Sequence, residues 1–122
     1  MAVVNIEKDL SSPDKQRRML ALLYIWINRD ARYLSPVKDL LVRDPDQEVR
    51  ARCAWVLDHL RDITAADALL EALSDGDWGV RSNAGWGLVH LGPEISERVT
   101  SVLRESHSDE AREMAALVLQ RL

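Results

Sequence analysis

Four residue types in this chain have the chemistry for a site: the imidazoles of His59 and His90, the thiol of Cys53, the guanidiniums of Arg50, Arg81 and Arg112, and the indoles of Trp55 and Trp86. Two imidazoles on neighbouring elements could hold a divalent metal, but two ligands fall short of the three or four that zinc takes, and the sequence places no third beside them. A thiol is nucleophilic only as the thiolate, in a positive and accessible setting. Cys53 aligns instead with Ala84 and Ala115 in a repeated pattern, which reads as a small, inert core residue. No serine, histidine and acid share a catalytic spacing, no Gly-rich loop could cradle phosphate, and no Cys/His spacing suggests zinc. The expectation is a protein with no catalytic residue, no cofactor and no metal.

The elements that must carry these residues are visible as an internal repeat, which governs the reading of everything else. Residues 46–60 read DQEVRARCAWVLDHL, 77–91 read DWGVRSNAGWGLVHL and 108–122 read SDEAREMAALVLQRL, each copy 31 positions after the last. Arg50, Arg81 and Arg112 align, as do Leu57, Leu88 and Leu119, then Leu60, Leu91 and Leu122. A weaker copy begins at Ser12, offset by 32 from Asp44, with Arg17 in the valine column. Shorter apolar segments lie between the copies: Val3 to Leu10, Leu34 to Val42, Ala65 to Leu73 and Ile95 to Leu103.

Apolar residues at steps of three and four, as in Val49, Cys53, Leu57 and Leu60, make one stripe of a helix rather than an alternating strand. Ser12-Pro13 and Asp44-Pro45 read as a capping side chain before a proline in the first helical position, and Thr64 with Asp67 as a further capping pair. The breaks at Asp75-Gly76 and Gly92-Pro93 fall between helical patterns, and no sheet is expected. A hairpin of about 31 residues cannot cover its own apolar faces, so neighbours must stack. The predicted fold is all-α: a single-domain α-solenoid, or superhelix, of four helical hairpins at about 1–29, 30–61, 62–92 and 93–122. The first, crowded with Met19, Leu20, Leu22, Leu23, Ile25 and Trp26, is expected to act as a cap.

Composition agrees with that picture and narrows the functions. At 122 residues, with 47% apolar and 30% charged side chains, the chain has the balance of one globular domain rather than of a disordered segment. A single cysteine rules out an internal disulfide and suits a reducing, cytoplasmic setting. The longest apolar run, Met19 to Ile27, is about half of the roughly 20 residues a membrane helix needs, and Met1 to Leu10 does not read as a secretion signal. Twenty acidic against 16 basic residues give a net charge of -4, which disfavours binding driven by phosphate neutralisation, although Arg17 and Arg18 adjoin and Arg52 joins the recurring arginines.

The repeated helices resemble the HEAT-like repeats named after phycobilisome lyases, whose second helix reads D-x-x-V-R-x-x-A-A-x-A-L-x-x-L. Asp77 to Arg81 followed by Ala84, Leu88 and Leu91 is similar almost throughout; Asp46 to Leu60 departs chiefly at Cys53; Asp30 to Leu41, with Pro36, resembles the first-helix pattern. The resemblance implies that Asp46 with Arg50, Asp77 with Arg81, and Arg112 beside Asp109 form a structural ladder between stacked units, and that Trp78 is packed at a unit junction. It also implies a concave face built from Leu20, Leu23 and Ile27, then Arg52, Trp55 and His59, then Asn83, Trp86 and His90, then Met114, Leu117 and Arg121. Stacking is expected to bring Trp55 and Trp86 side by side there. Such repeats fix a fold better than a function. The expected function is a protein-interaction scaffold or adaptor that binds another protein's helix or peptide segment along this face. The alternatives are a bilin lyase subunit or chromophore chaperone and, behind it, DNA binding; oligomeric state stays open.

Overall fold

In a computed structural model that describes residues 4–122, the chain runs through eight α-helices with no strand among the described residues. They are α1 (Ile6–Leu10), α2 (Lys15–Asn28), α3 (Leu34–Arg43), α4 (Gln47–Leu60), α5 (Ala66–Ala72), α6 (Trp78–Leu91), α7 (Ser96–Glu105) and α8 (Asp109–Arg121). Val3, where the first apolar segment begins, lies outside the described residues. Among these residues no helix is long and apolar enough to cross a membrane.

Each long helix begins where the sequence supplies an oxygen for its unsatisfied N–H groups. Asp14, Asp46, Asp77 and Ser108 have extended backbones, and their side chains accept from the amides of Gln16, Glu48, Val80 and Ala111. Ser12 and Asp44, the expected caps, therefore stand two residues too early, and Pro13 and Pro45 precede their helices. The expected Thr64–Asp67 cap is also replaced. Asp62 takes both the Thr64 amide (2.9 Å) and its hydroxyl (2.6 Å), opening a 3-10 turn, while Asp67 pairs with Arg98. At the C-terminal ends of α2, α4 and α6 the equivalent positions Arg29, Arg61 and Gly92 all take positive φ (49°, 53° and 90°). Glycine meets that requirement without strain, whereas the two arginines bear a cost.

The pairs α1–α2, α3–α4, α5–α6 and α7–α8 pack as hairpins, and their cores join into one stack. Val49, Cys53 and Leu57 on α4 and Val80, Ala84 and Leu88 on α6 are all buried, so the apolar columns of the repeat form the core. Burying each of the larger aliphatic side chains contributes on the order of 1.5–3 kcal/mol. The second helices touch in series, α2 on α4, α4 on α6 and α6 on α8, whereas the first helices are closely packed chiefly where α3 meets α5. The second helices thus carry most of the packing between successive hairpins. Small residues permit close approach both within and between hairpins: a Cβ on Gly87 would come to 3.0 Å of Leu69 on α5, and one on Gly85 to 3.0 Å of Met114 on α8.

One polar arrangement recurs at each step. Arg18 Nε donates to Asp44 Oδ2 and its Nη2 to Oδ1 (2.8 and 3.2 Å), and Arg50 meets Asp75 with the same two distances. The Nη1 of Arg18, Arg50, Arg81 and Arg112 also donates to the carbonyl six residues back, at Ser12, Asp44, Asp75 and Ser106. Arg18 and Arg50 thus tie their own interhelical turn to the turn of the next unit, whereas Arg81 and Arg112 keep only the bond to their own turn. Asp46 and Asp77 cap helices instead of receiving Arg50 and Arg81, whose guanidiniums reach back to the turn at Asp44 and Asp75. Asp46 does reach across units, but to Lys15 (3.2 Å). At the third junction Ser106 occupies the position that Asp44 and Asp75 hold, and Arg81 has no carboxylate there; Arg112 pairs with Asp109 in its own helix.

Two outcomes follow from this packing. Ser106→Asp should give Arg81 its missing partner and raise the free energy of unfolding by about 1 kcal/mol, while Asp75→Ala, which leaves Arg50 without its carboxylate, should lower it by about 3 kcal/mol. Urea melts would check both, and a Ser106→Asp protein no more stable than wild type would show that the third junction is not completed by the same pairing. Burial, with Asp44 adding to it, pushes the Cys53 thiol well above the usual range, so it is un-ionised when folded. Iodoacetamide should alkylate native protein at least about 100-fold more slowly than denatured protein, and equal rates would place the thiol at the surface.

Candidate functional site

The tryptophans lie on the second helices of the hairpins, α2, α4 and α6, and take part in two separate clusters. In the first, Trp55 on α4 lies against Trp26 on α2, with ring centroids 4.6 Å apart, and against His59, also at 4.6 Å. His59 Nδ1 sits 2.8 Å from the Trp55 carbonyl one turn back, so the imidazole is fixed along its own helix. The Arg52 guanidinium lies 5.3 Å from the Trp55 ring centre. Arg52, Trp55 and Asn83 border an open hollow of about 490 Å³ with Met19, Glu48 and Ala51. Trp55 is half-buried, and the Trp26 Nε1 is buried without an acceptor.

The second cluster lies between α6 and α8. Trp78, Ser82, Gly85, Trp86 and Val89 recur at steps that keep them on one side of α6, and Met114, Leu117, Val118 and Arg121 face them from α8. Gly85, with no side chain, lets the Met114 thioether come in as the floor, and Met114 is only 6% exposed. The walls stay open to solvent: Trp78 is 61% exposed, Leu117 47% and Trp86 44%. Between them is a hollow of about 150 Å³. A second, of about 360 Å³, continues past Trp78 between Arg81, Glu110, Glu113 and Leu117. Arg121 lays its guanidinium 4.9 Å from the Trp86 ring centre, and His90 stacks on the same indole at 5.8 Å.

The expected pairing of Trp55 with Trp86 is not what the structure contains. Trp55 turns back to α2 because Trp26 is there to receive it. The matching position one unit on is Asp58, which takes His90 Nδ1 (2.6 Å), so Trp86 has no aromatic partner on α4 and turns toward α8. Asn83 was expected to face a partner, yet its amide donates to the Ala51 carbonyl (3.0 Å) and fastens α6 to α4. Met114 is floor rather than open surface. Leu20 and Leu23 are half-buried, Ile27 is 59% exposed, and His90, Leu117 and Arg121 are exposed.

Two residues that matter were not placed in the face by the sequence. Trp26 stands in the column of Asp58, where nothing predicts an aromatic, and only the +29 offset between Trp26 and Trp55 hints at a cross-helix contact. Trp78 was expected to be packed at a unit junction and is instead the most exposed of the large apolar residues. Its distance of eight positions from Trp86, a little over two helical turns, is the signal that puts both on one side of α6. The arginine beneath it, Arg81, lies 5.7 Å from the Trp78 ring centre and leaves the indole face turned outward.

A model of HEAT repeats matches residues 34–120, which takes in α3 to α8 and so three of the four hairpins. The match is at the level of HEAT repeats and does not single out the phycobilisome-lyase type. No curated protein matches the chain. HEAT repeats are typically non-enzymatic and commonly act as protein-interaction scaffolds. With that match over most of its length, and with paired helices stacked through a repeated arginine contact, the chain belongs to the HEAT repeat family.

Proposed function

We propose that this protein is an interaction module whose docking site is the α6–α8 groove and the face of the second helices around it. One observation carries the reading: Trp78, Trp86 and Leu117 form a contiguous apolar surface around a hollow while the core beneath is already closed by Leu88, Met114 and Val118. Folding gains little from leaving two indoles and a leucine in water, and a concentrated apolar patch on a small protein marks a contact surface. Tryptophan and arginine are also the side chains that dominate binding energy at protein interfaces, and here Arg121 sits on Trp86 at the rim. Arg18 and Arg50, by contrast, are consumed by Asp44 and Asp75 and are not available to phosphates, which weighs against a nucleic-acid role for the recurring arginines.

The reading is tested by affinity capture from the host lysate with wild-type protein and with Trp86→Ala/Leu117→Ala. Both sites are exposed, so the double variant should fold and melt within about 1 kcal/mol of wild type. Proteins held by the wild type should be retained at least tenfold less by the variant. A folded variant that retains the same proteins to the same extent would rule the groove out as the docking site. Trp55→Ala is a poor substitute, because Trp55 is packed on Trp26 and its loss should lower stability by about 2 kcal/mol.

A further inference from the structure

The kind of segment that docks can be read from the charges around the groove. The concave-face positions named from the sequence, three on each long helix, hold two arginines, two histidines and no carboxylate, in a chain whose net charge is -4. The two arginines differ from the five that aspartates hold. Arg18, Arg32, Arg50, Arg98 and Arg112 are each held by an aspartate, whereas neither Arg52 nor Arg121 makes an ion pair among the described residues. Each lies instead over an indole, Arg52 on Trp55 and Arg121 on Trp86. A guanidinium over a ring keeps its N–H donors for a partner in the plane of the fork, and the planar anion that matches that fork with two parallel bonds is a carboxylate.

We infer, resting on the docking role proposed above, that the groove takes an acidic amphipathic segment of another protein: a bulky apolar side chain enters the α6–α8 hollow and a neighbouring Asp or Glu meets Arg121. A hollow of about 150 Å³ accepts a group of benzene size, which suits a leucine or phenylalanine side chain. The direction of the segment is set by charge. Beyond Trp78 the adjoining hollow is edged by Glu110 and Glu113 with Arg81, so the acidic residue belongs at the Arg121 end and the far end favours neutral or basic residues. A nucleic acid is the other anion that stacks on indoles, but two guanidiniums on α4 and α8, with Asn83 and Trp86 of α6 between them, do not make the continuous basic track a phosphate backbone follows.

Selection of a displayed random peptide library on wild-type protein and on Trp86→Ala/Leu117→Ala, with 20-nucleotide single-stranded DNA and RNA as parallel probes, separates the outcomes. The expected result is enrichment of Asp or Glu beside Leu or Phe, with Arg121→Gln weakening the best synthetic peptide about tenfold, Arg121→Lys weakening it less, and affinity falling as salt rises. Peptides that need Trp86 and Leu117 but carry no acidic bias, or that bind Arg121→Gln as tightly, would overturn the acidic segment and leave the docking site standing. Finding no peptide that distinguishes wild type from the groove variant would overturn both. Tighter binding of an oligonucleotide than of any peptide, lost in Arg121→Gln, would replace the acidic segment with a nucleic acid.

Discussion

The arginine that bridges successive interhelical turns is the contact on which the rest of this solenoid depends. A stack of similar hairpins has no intrinsic register, since aliphatic columns accept one another at several offsets. Arg18 with Asp44 and Arg50 with Asp75 remove that freedom. A buried ion pair adds little net stability over an apolar pair of the same shape, but leaving one partner alone in the interior costs about 3–5 kcal/mol. Misregistered stacks leave two such groups alone at once. The contact therefore selects one arrangement more than it strengthens it, and the bond from each Nη1 to the carbonyl six residues back ties the same choice to the geometry of the hairpin turn.

Register in turn decides what each second helix meets. With α4 set on α2, Trp26 arrives at Trp55 and the first junction is closed by two indoles in tilted contact. With α6 set on α4, Asp58 arrives at His90 and Asn83 at the Ala51 carbonyl, so the second junction is closed by polar contacts. The third junction has neither device: Ser106 replaces the aspartate and Gly85 replaces a side chain, so α8 is held by Met114 and Val118 alone at the groove. Trp86, left without a partner on α4, stands open along that junction.

The paired helices were legible because the apolar columns repeat at a fixed interval, and their bounds in the structure follow the repeated segments closely. The caps were misplaced by two residues because proline after Ser12 or Asp44 imitates a helix start, whereas the side chain that reaches the first amides belongs to Asp14 or Asp46. Of the ladder arginines the pattern names, Arg50 bridges two units, whereas Arg81 and Arg112 do not, and the bridging acid is not one the pattern names. Asp75 lies 25 residues beyond Arg50, and the nearer Asp46 offers a local pairing that the pattern alone prefers. Of the face expected from the sequence, Trp86, Leu117 and Arg121 are exposed around the α6–α8 groove, while Trp55 is half-buried against Trp26. Identical columns were read as identical environments, while the neighbour of each tryptophan is set by a different column, in which Trp26 and Asp58 have nothing in common.

That difference between columns bears on why an open groove persists at all. A solenoid can close a junction cheaply, and this chain does so twice, by a tilted indole pair with an ion pair and by an imidazole–carboxylate contact with another. The same residues placed at Ser106 or opposite Trp86 would close the third. Instead the chain carries its most exposed tryptophan, Trp78, and a half-exposed Trp86 on the one junction without a bridging carboxylate. Water contact at these rings raises the free energy of the isolated protein by an amount that its own packing has no means to recover, since Gly85 and Met114 already fill the space beneath them. Such an arrangement is stable in a folded chain but improves when another apolar surface covers it, which is the physical ground for proposing the third junction as the docking site.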